Sequence, residues 1–255
     1  MNVIILAAGM GTRLMPYTSD RPKCMVSLAG KSILSYQLQV LKNRGLNDIT
    51  IVTGYRQEKL IAPGAARINN ADYATTNMAH SLFCARDVFG QGQAVLVAYA
   101  DIIYSDAVLD SLLAATSHIC VTVDLKWRDY WCKRFGDPLS DAETLRLDAN
   151  GRILELGRKP QSLDDIQGQY IGLMKFSEQG AAALKKCYDQ ALIEGTLGGK
   201  AVGKAYMTDL LQHVVNSGYA VQAVPIRGQW IEIDSAQDLV NPVTIQRLKD
   251  MTIDG

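Results

Sequence analysis

The amino-acid sequence predicts an α/β protein, with a Rossmann-like, mostly parallel (mixed) sheet covered by helices on both faces. Three observations carry that expectation. Residues 3–6 and Ile49–Thr53 are short apolar runs rich in β-branched side chains, and between them Ile33–Asn43 repeats Ile33, Leu34, Leu38 and Leu41 at helical spacing before Gly45. The succession then recurs, with a helical pattern over 77–86, a buried strand over 94–99, a helical pattern over 106–115 and a strand at Ile119–Asp124. A length of 255 residues with 48% hydrophobic and 20% charged side chains suffices for one full core, so a single domain over 1–255 is expected. In sheets of this kind ligands collect at the carboxyl ends of the strands.

The alternation stops between 127 and 160. Within that insert, Trp127-Arg128-Asp129-Tyr130-Trp131-Cys132-Lys133-Arg134-Phe135 is dense in aromatics and cations, which marks it as a ligand-binding candidate. Strand patterns resume at Leu145–Leu147, Ile153–Leu156 and 170–176, helical patterns at 179–193 and Met207–Asn216, and a last strand at 222–225 leads into Gln229-Trp230-Ile231-Glu232-Ile233-Asp234-Ser235. No repeat or linker divides the chain, and 195–203 is expected to be a mobile surface loop. Its Gly198-Gly199-Lys200-Ala201-Val202-Gly203-Lys204-Ala205 nearly matches a P-loop, but Ala205 stands where a metal-binding hydroxyl is required and no strand pattern precedes Gly198.

With 26 basic and 26 acidic residues the chain has no net field for a nucleic acid or an anionic membrane, so a phosphate site must be a local concentration of charge. The apolar run 94–98 is ended by Asp101 far short of bilayer length, and no lipidation signal is visible, which predicts a soluble cytoplasmic protein. Five cysteines, Cys24, Cys84, Cys120, Cys132 and Cys187, are scattered without zinc-ligand spacing and read as reduced thiols. His80, His118 and His213 are the only histidines, too few and too far apart for a histidine metal site; only His80 lies beside other candidate site residues. No motif sets the oligomeric state, and a homodimer stays open.

The most informative stretch is the first. Residues 3–6 run into Ala7-Ala8-Gly9-Met10-Gly11-Thr12-Arg13, and Pro22-Lys23 follows. Gly9 and Gly11 let backbone N–H groups approach an anion without a Cβ in the way, and Arg13 and Lys23 add fixed positive charge. The third glycine of the dinucleotide fingerprint is missing, as is the Lys-Ser or Lys-Thr of a P-loop. A secretory leader is disfavoured because the charges follow the apolar run instead of preceding it.

Leu6-Ala7-Ala8-Gly9-Met10-Gly11-Thr12-Arg13-Leu14 followed by Pro22-Lys23 resembles the signature of nucleotidyltransferases that join a nucleoside triphosphate to a phosphorylated small molecule. Their fold is a GT-A-like mixed sheet. Residues 21–26, 76–85, 99–102, 137–145, 169–173 and 230–235 extend the resemblance to the choline-phosphate cytidylyltransferase-like branch, and within it to bacterial phosphoglutamine cytidylyltransferases. In this chemistry an acceptor phosphate oxygen attacks the α-phosphorus in line and pyrophosphate leaves; the nucleophile is already an anion, so the protein supplies positioning, charge and carboxylate-held Mg²⁺. Two strand-end carboxylates suit that task, Asp101 after 94–99 and Asp234 in the late segment, where period-two alternation puts Glu232 on the same face. An N-cap role for Asp101 and Asp234 is the competing account.

The resemblance implies that Leu6, Ala7, Ala8, Gly9, Gly11 and Thr12 hold base and phosphates. Arg13 would bind the β- and γ-phosphates, Lys23 the α-phosphate, and Asp101 with Asp234, and Glu232 beside them, the Mg²⁺. Asn77 would both cap a helix and touch the nucleotide. Lys159, in Arg158-Lys159-Pro160, stands where sugar-directed relatives carry Glu-Lys-Pro and is assigned to the acceptor phosphate as a catalytic group. Trp127, Arg128, Trp131, Lys133, Arg134, Glu155 and Tyr170 complete the acceptor set, with a lid or interface anchor as the alternative for the aromatics and an ion pair with Arg152 or Arg158 for Glu155. CTP is the implied nucleotide and L-glutamine phosphate the favoured acceptor, ahead of phosphocholine and 2-aminoethylphosphonate. A sugar-1-phosphate transferase using UTP or dTTP and a nucleotide-binding subunit without turnover are the alternatives. Ile102, where many superfamily members are polar, is the one departure noted.

Overall fold

A computed structural model describes residues 1–90 and 92–251. Its first strands are β1 (Asn2–Ala7), β2 (Ser27–Leu28), β3 (Lys31–Ser32), β4 (Ile49–Thr53), β5 (Ala66–Asn69), β6 (Val95–Tyr99), β7 (Ile102–Tyr104) and β8 (Ile119–Asp124). They are followed by β9 (Leu145–Leu147), β10 (Ile153–Leu156), β11 (Gln169–Phe176), β12 (Thr196–Leu197), β13 (Lys200–Ala201), β14 (Gln222–Ile226) and β15 (Trp230–Glu232). The helices are α1 (Ile33–Asn43), α2 (Met78–Cys84), α3 (Asp106–Ala114), α4 (Trp127–Arg134), α5 (Glu178–Glu194), α6 (Met207–Asn216) and α7 (Pro242–Asp250).

Seven strands form one twisted sheet in the order β14-β8-β11-β6-β1-β4-β5. All neighbours run parallel except β11, which is antiparallel to both β6 and β8. The sheet is therefore mixed. Side-chain alternation along β1 sorts residues between two cores: Val3, Ile5 and Ala7 pack on one face with α1 and α3, while Ile4 and Leu6 pack on the other with α2, α5 and α6. Both faces being covered is why the central strands read as unbroken apolar runs. Helix α1 shows how local signals set an element: the Ser32 hydroxyl accepts the Ser35 N–H at 3.1 Å, and Gly45 just beyond its end adopts φ +68.

Several expected boundaries change. Helix α2 ends at Cys84, and a 3₁₀ turn at Arg86–Gly90 replaces the remainder. Asp101 is followed by strand β7 and not by a helix, which removes the capping account for it; the cap of the turn after Asp234 is Ser235. The 127–160 segment is ordered, with helix α4 and the antiparallel pair β9–β10. Trp127, Tyr130, Trp131 and Arg134 form its buried stripe at helical spacing, and the polar Arg134 in that stripe is what hid the periodicity. Residues 195–203 are likewise no mobile loop. Strands β12 and β13 close a hairpin, Lys200 Nζ donates to both Asp209 oxygens at 2.6 and 2.7 Å, and Gly203 O accepts the Asn77 N–H at 2.8 Å.

Candidate active site

Parallel strands β1 and β6 pair with Leu6 opposite Tyr99, so both discharge their chains at the same sheet edge. The turn after β1 is tightened at Gly11, whose φ is +61 and where a Cβ would lie 3.0 Å from Lys23 Cβ; the Thr18 hydroxyl donates to Gly11 O at 2.9 Å. Glycine is thus required at Gly11 by the protein itself. At Gly9 a Cβ would meet no protein atom within 4 Å.

Asp101 lies just past β6, and β15 then pairs antiparallel with β7, with the Ile233 N–H donating to Asp101 O at 2.9 Å. This short ribbon delivers Asp234 beside Asp101. Lys23 Nζ donates to Asp101 Oδ2 at 2.7 Å and Asp234 Oδ1 at 2.6 Å, joining residues 78 and 211 positions apart in the chain. Burial works against the Lys23 charge, but the two carboxylates outweigh it and hold its pKa above the ordinary lysine value. Arg13 pairs with the other Asp234 oxygen and lies 3.8 Å from Asp141, and its side chain is largely exposed.

These groups line a cavity of ≈ 270 Å³. Leu6, Ala7, Ala8, Gly9, Gly11 and Thr12 line it, as do Arg13, Lys23, Asn77 and Asp101. Tyr73, Thr76, Met78, Ser81 and Tyr99 also line it; the Thr76-Asn77-Met78 run next to a helix start was the available signal for two of these. Asn77 caps α2, accepting the Met78 N–H at 2.9 Å.

A second recess of ≈ 210 Å³ adjoins the first, sharing Arg13, Met78, Tyr99 and Asp234 with it. Trp131, Tyr170 and Glu232 of the acceptor and metal sets face it, together with Asp141, Glu143, Gln169, Tyr206 and Thr208, which sequence reasoning did not assign. Strand β11 has an irregular register between Tyr170 and Met174, with Gly172 at φ +81 where a Cβ would come within 2.5 Å of Tyr99 Cδ2. A bulge of this kind re-aims side chains at a site edge, here Tyr170.

The other expected acceptor residues do not reach the recess. Trp127 is buried in the core, and Arg128 is exposed on α4. Lys133 lines a separate groove with α7 residues such as Val243 and Gln246. Arg134 turns inward, where its guanidinium donates to Glu232 Oε2 at 2.7 Å and to Asp238 at 2.9 and 3.1 Å. Asp238 in turn accepts the Asp234 N–H at 3.0 Å, so Arg134 acts on the site by fixing the backbone of Asp234. Glu155 lies 3.6 Å from Arg158. Lys159 donates to Leu139 O and, at 3.1 Å, to Ser140 O, bracing the loop that presents Asp141. His80 lines neither cavity.

Asp101 and Asp234 converge as a carboxylate pair suited to a hard divalent cation, and Asp101 Oδ1 is buried without a hydrogen-bond partner. Glu232 is held by Arg134, and among the described residues no cluster of three or more acidic, cysteine or histidine side chains is poised around one point. Desolvation pushes the Glu232 carboxyl above the ordinary glutamate range, against the pull of Arg134.

Residues 3–169 match the model of the MobA-like NTP transferase domain. The chain belongs to that family. Like its family, it is a nucleotidyltransferase. It is 40% identical over 94% of its length, and 98% of the relative's, to a CTP:phosphoglutamine cytidylyltransferase of Campylobacter jejuni. It is also 28% identical to a 2-aminoethylphosphonate cytidylyltransferase of Lancefieldella rimae, over 76% of this chain and 74% of that one. Among solved structures, this MobA-like chain superposes with a TM-score of 0.74 at 21% identity on an inositol-1-phosphate CTP transferase from T. maritima, covering 98% of this chain and 95% of that one. A CTP:phosphocholine cytidylyltransferase from Streptococcus pneumoniae gives 0.70 at 21% identity, covering 98% and 97%. These two establish the fold. No helix among the described residues is long and apolar enough to cross a membrane.

Proposed function

We propose that this protein is a Mg²⁺-dependent cytidylyltransferase that transfers CMP from CTP to a small phosphorylated acceptor and releases pyrophosphate. The carrying observation is Lys23 bridging Asp101 and Asp234 inside the cavity that the 7–13 turn closes. L-glutamine phosphate is the favoured acceptor, supported by the relative that matches across nearly the full length of both chains; phosphocholine and 2-aminoethylphosphonate follow.

The bare backbone at Gly9 leaves room for phosphate, and Arg13 and Lys23 supply the positive charge that the triphosphate and the departing pyrophosphate require. Asp101 and Asp234 would hold the metal, which when bound neutralises phosphate charge. Lys23 is placed to follow negative charge as it builds at the α-phosphate, exchanging its aspartate partners for phosphate oxygen. Arg13 and Asp234 line both cavities, so the acceptor phosphate belongs at their junction, with the rest of the acceptor in the second recess. No general base is needed, because the acceptor phosphate is already anionic.

Pyrophosphate release by the purified protein with Mg²⁺ tests this reading, with CTP, UTP, dTTP, ATP and GTP each crossed against phosphoglutamine, phosphocholine, 2-aminoethylphosphonate and glucose 1-phosphate. Turnover confined to CTP with a non-sugar acceptor is expected. Turnover of UTP or dTTP with glucose 1-phosphate alone would move the protein to the sugar branch, and CTP binding without turnover would make it a non-catalytic subunit.

A further inference from the structure

Four carboxylates face the recess beside the nucleotide cavity: Asp141, Glu143, Glu232 and Asp234. Three are matched by cations of the chain itself. Asp234 meets Lys23 and Arg13, Asp141 lies 3.8 Å from Arg13, and Glu232 accepts from Arg134 at 2.7 Å. Glu143 makes no ion pair among the described residues. Lys200, whose charge reaches Glu143, is bound to both oxygens of Asp209 at 2.6 and 2.7 Å.

The backbone of Glu143 is nevertheless held in place. Gln169 on β11 clamps it from both sides, with Nε2 donating to Glu143 O at 2.6 Å and Oε1 accepting the Glu143 N–H at 3.3 Å. A carboxylate on a clamped backbone, open to a ligand cavity and without a protein cation is arranged to receive a cation from outside. We propose that Glu143 binds a primary ammonium group on the phosphorylated acceptor and is the residue that selects amine-bearing acceptors. This rests on the cytidylyltransferase reading above and extends it.

The walls of the recess favour a hydrogen-bonding ammonium over a quaternary one. Tyr99 and Tyr170 pack edge to face at 5.7 Å, Trp131 and Trp230 lie against each other at 6.0 Å, and both tryptophans are buried. Their ring faces are largely spent on one another, which leaves carboxylate oxygens as the main attraction for a cation. The charged and titratable groups facing Glu143 are Asp141 from its own loop, Asp209 from α6, Lys200 from β13, Tyr170 from β11 and Tyr99 from β6. Glu143 is exposed by surface area, yet its carboxyl sits in the mouth of the recess, where partial desolvation first, then Asp141 and Asp209, push it up to about 7 against the opposing pull of Lys200. Since the ionised form binds ammonium, acceptor affinity should weaken as pH falls through that range.

The test is steady-state kinetics of wild type, E143Q and E143D with CTP and, in turn, phosphoglutamine, 2-aminoethylphosphonate and phosphocholine. In E143Q the KM for the two acceptors that carry a primary ammonium should rise about 10- to 100-fold, the scale of one charge-assisted hydrogen bond. The kcat and the KM for CTP should stay within about twofold, E143D should recover part of the loss, and phosphocholine should be affected least. Wild-type KM for 2-aminoethylphosphonate should rise more between pH 8 and pH 6 than that of E143Q, a comparison that cancels titration of the acceptor itself. An unchanged KM for both amine-bearing acceptors in E143Q, or an equal rise for phosphocholine, overturns the assignment and leaves the cytidylyltransferase reading standing. Failure of the wild-type protein to use any of these acceptors with CTP overturns both.

Discussion

Lys23 is bound to two aspartates and is also the cation placed to follow charge at the α-phosphate, so removing it changes chemistry more than packing. K23A and D101A are each expected to lower turnover by at least about a hundredfold, the scale for one transition-state charge contact, with the circular dichroism of the fold retained. Near-normal turnover in either variant would sink the assignment. Glu143 makes a different kind of prediction, because a carboxyl whose folded pKa is raised stabilises the fold only while protonated. Its stabilising contribution is present below the unfolded glutamate range near 4.5 and is lost as pH rises through about 7. E143Q, which imitates the protonated form, should therefore melt at nearly the wild-type temperature at pH 5 and above it at pH 8; a gap that closes as pH rises would contradict the sign. That Arg13, Lys23, Asp101 and Asp234 would meet in one cavity was legible in the sequence, because each sits at a strand end or in a short motif. Glu143 was not, because its distinction is the absence of a cation that only three-dimensional packing reveals.

At the scale of elements, the site depends on pieces that sequence periodicity described poorly. Helix α4 carries Arg134 in an otherwise apolar stripe, and residues 127–135 read as a cationic binding surface when in fact this cation points inward. Removing it leaves the buried Asp238 as an unpaired anion and the part-buried Glu232 without its cation. R134M is expected to cost about 3–5 kcal/mol of stability, the range for breaking a buried ion pair from one side, measured by urea unfolding. A loss under 1 kcal/mol would show that Arg134 is not the keystone of the Asp234 loop. The 195–203 hairpin escaped notice for a related reason: its strands are only two residues each, and its order comes from Lys200 on Asp209 and from the Asn77 N–H on Gly203, contacts with distant elements. The long strands and α1, α3, α5 and α6 lay within a few residues of their expected bounds, because their apolar patterns were long enough to average out single polar residues.

For the molecule as a whole, net neutrality conceals a site assembled from both ends of the chain. Arg13 and Lys23 come from the first turn and Asp234 from a late ribbon, and they meet only when the seven-stranded sheet and the β7–β15 pair are both complete. A ligand that spans these groups must stabilise global folding, not one local segment. At a CTP concentration about 100 times its dissociation constant, linkage adds about 2.7 kcal/mol. For a chain of this size that corresponds to a rise in Tm of roughly 5–10 °C, at about 2–4 °C per kcal/mol. The two aspartates oppose a triphosphate unless a divalent cation lies between them, so the rise should be large with Mg²⁺ and CTP together and small with CTP and EDTA. Neutralising both, in D101N/D234N, should enlarge the shift given by CTP in EDTA and abolish the added effect of Mg²⁺. Thermal melts of the two proteins under the two conditions decide the matter: a Mg²⁺ increment that survives intact in the double variant would place the metal somewhere other than between Asp101 and Asp234.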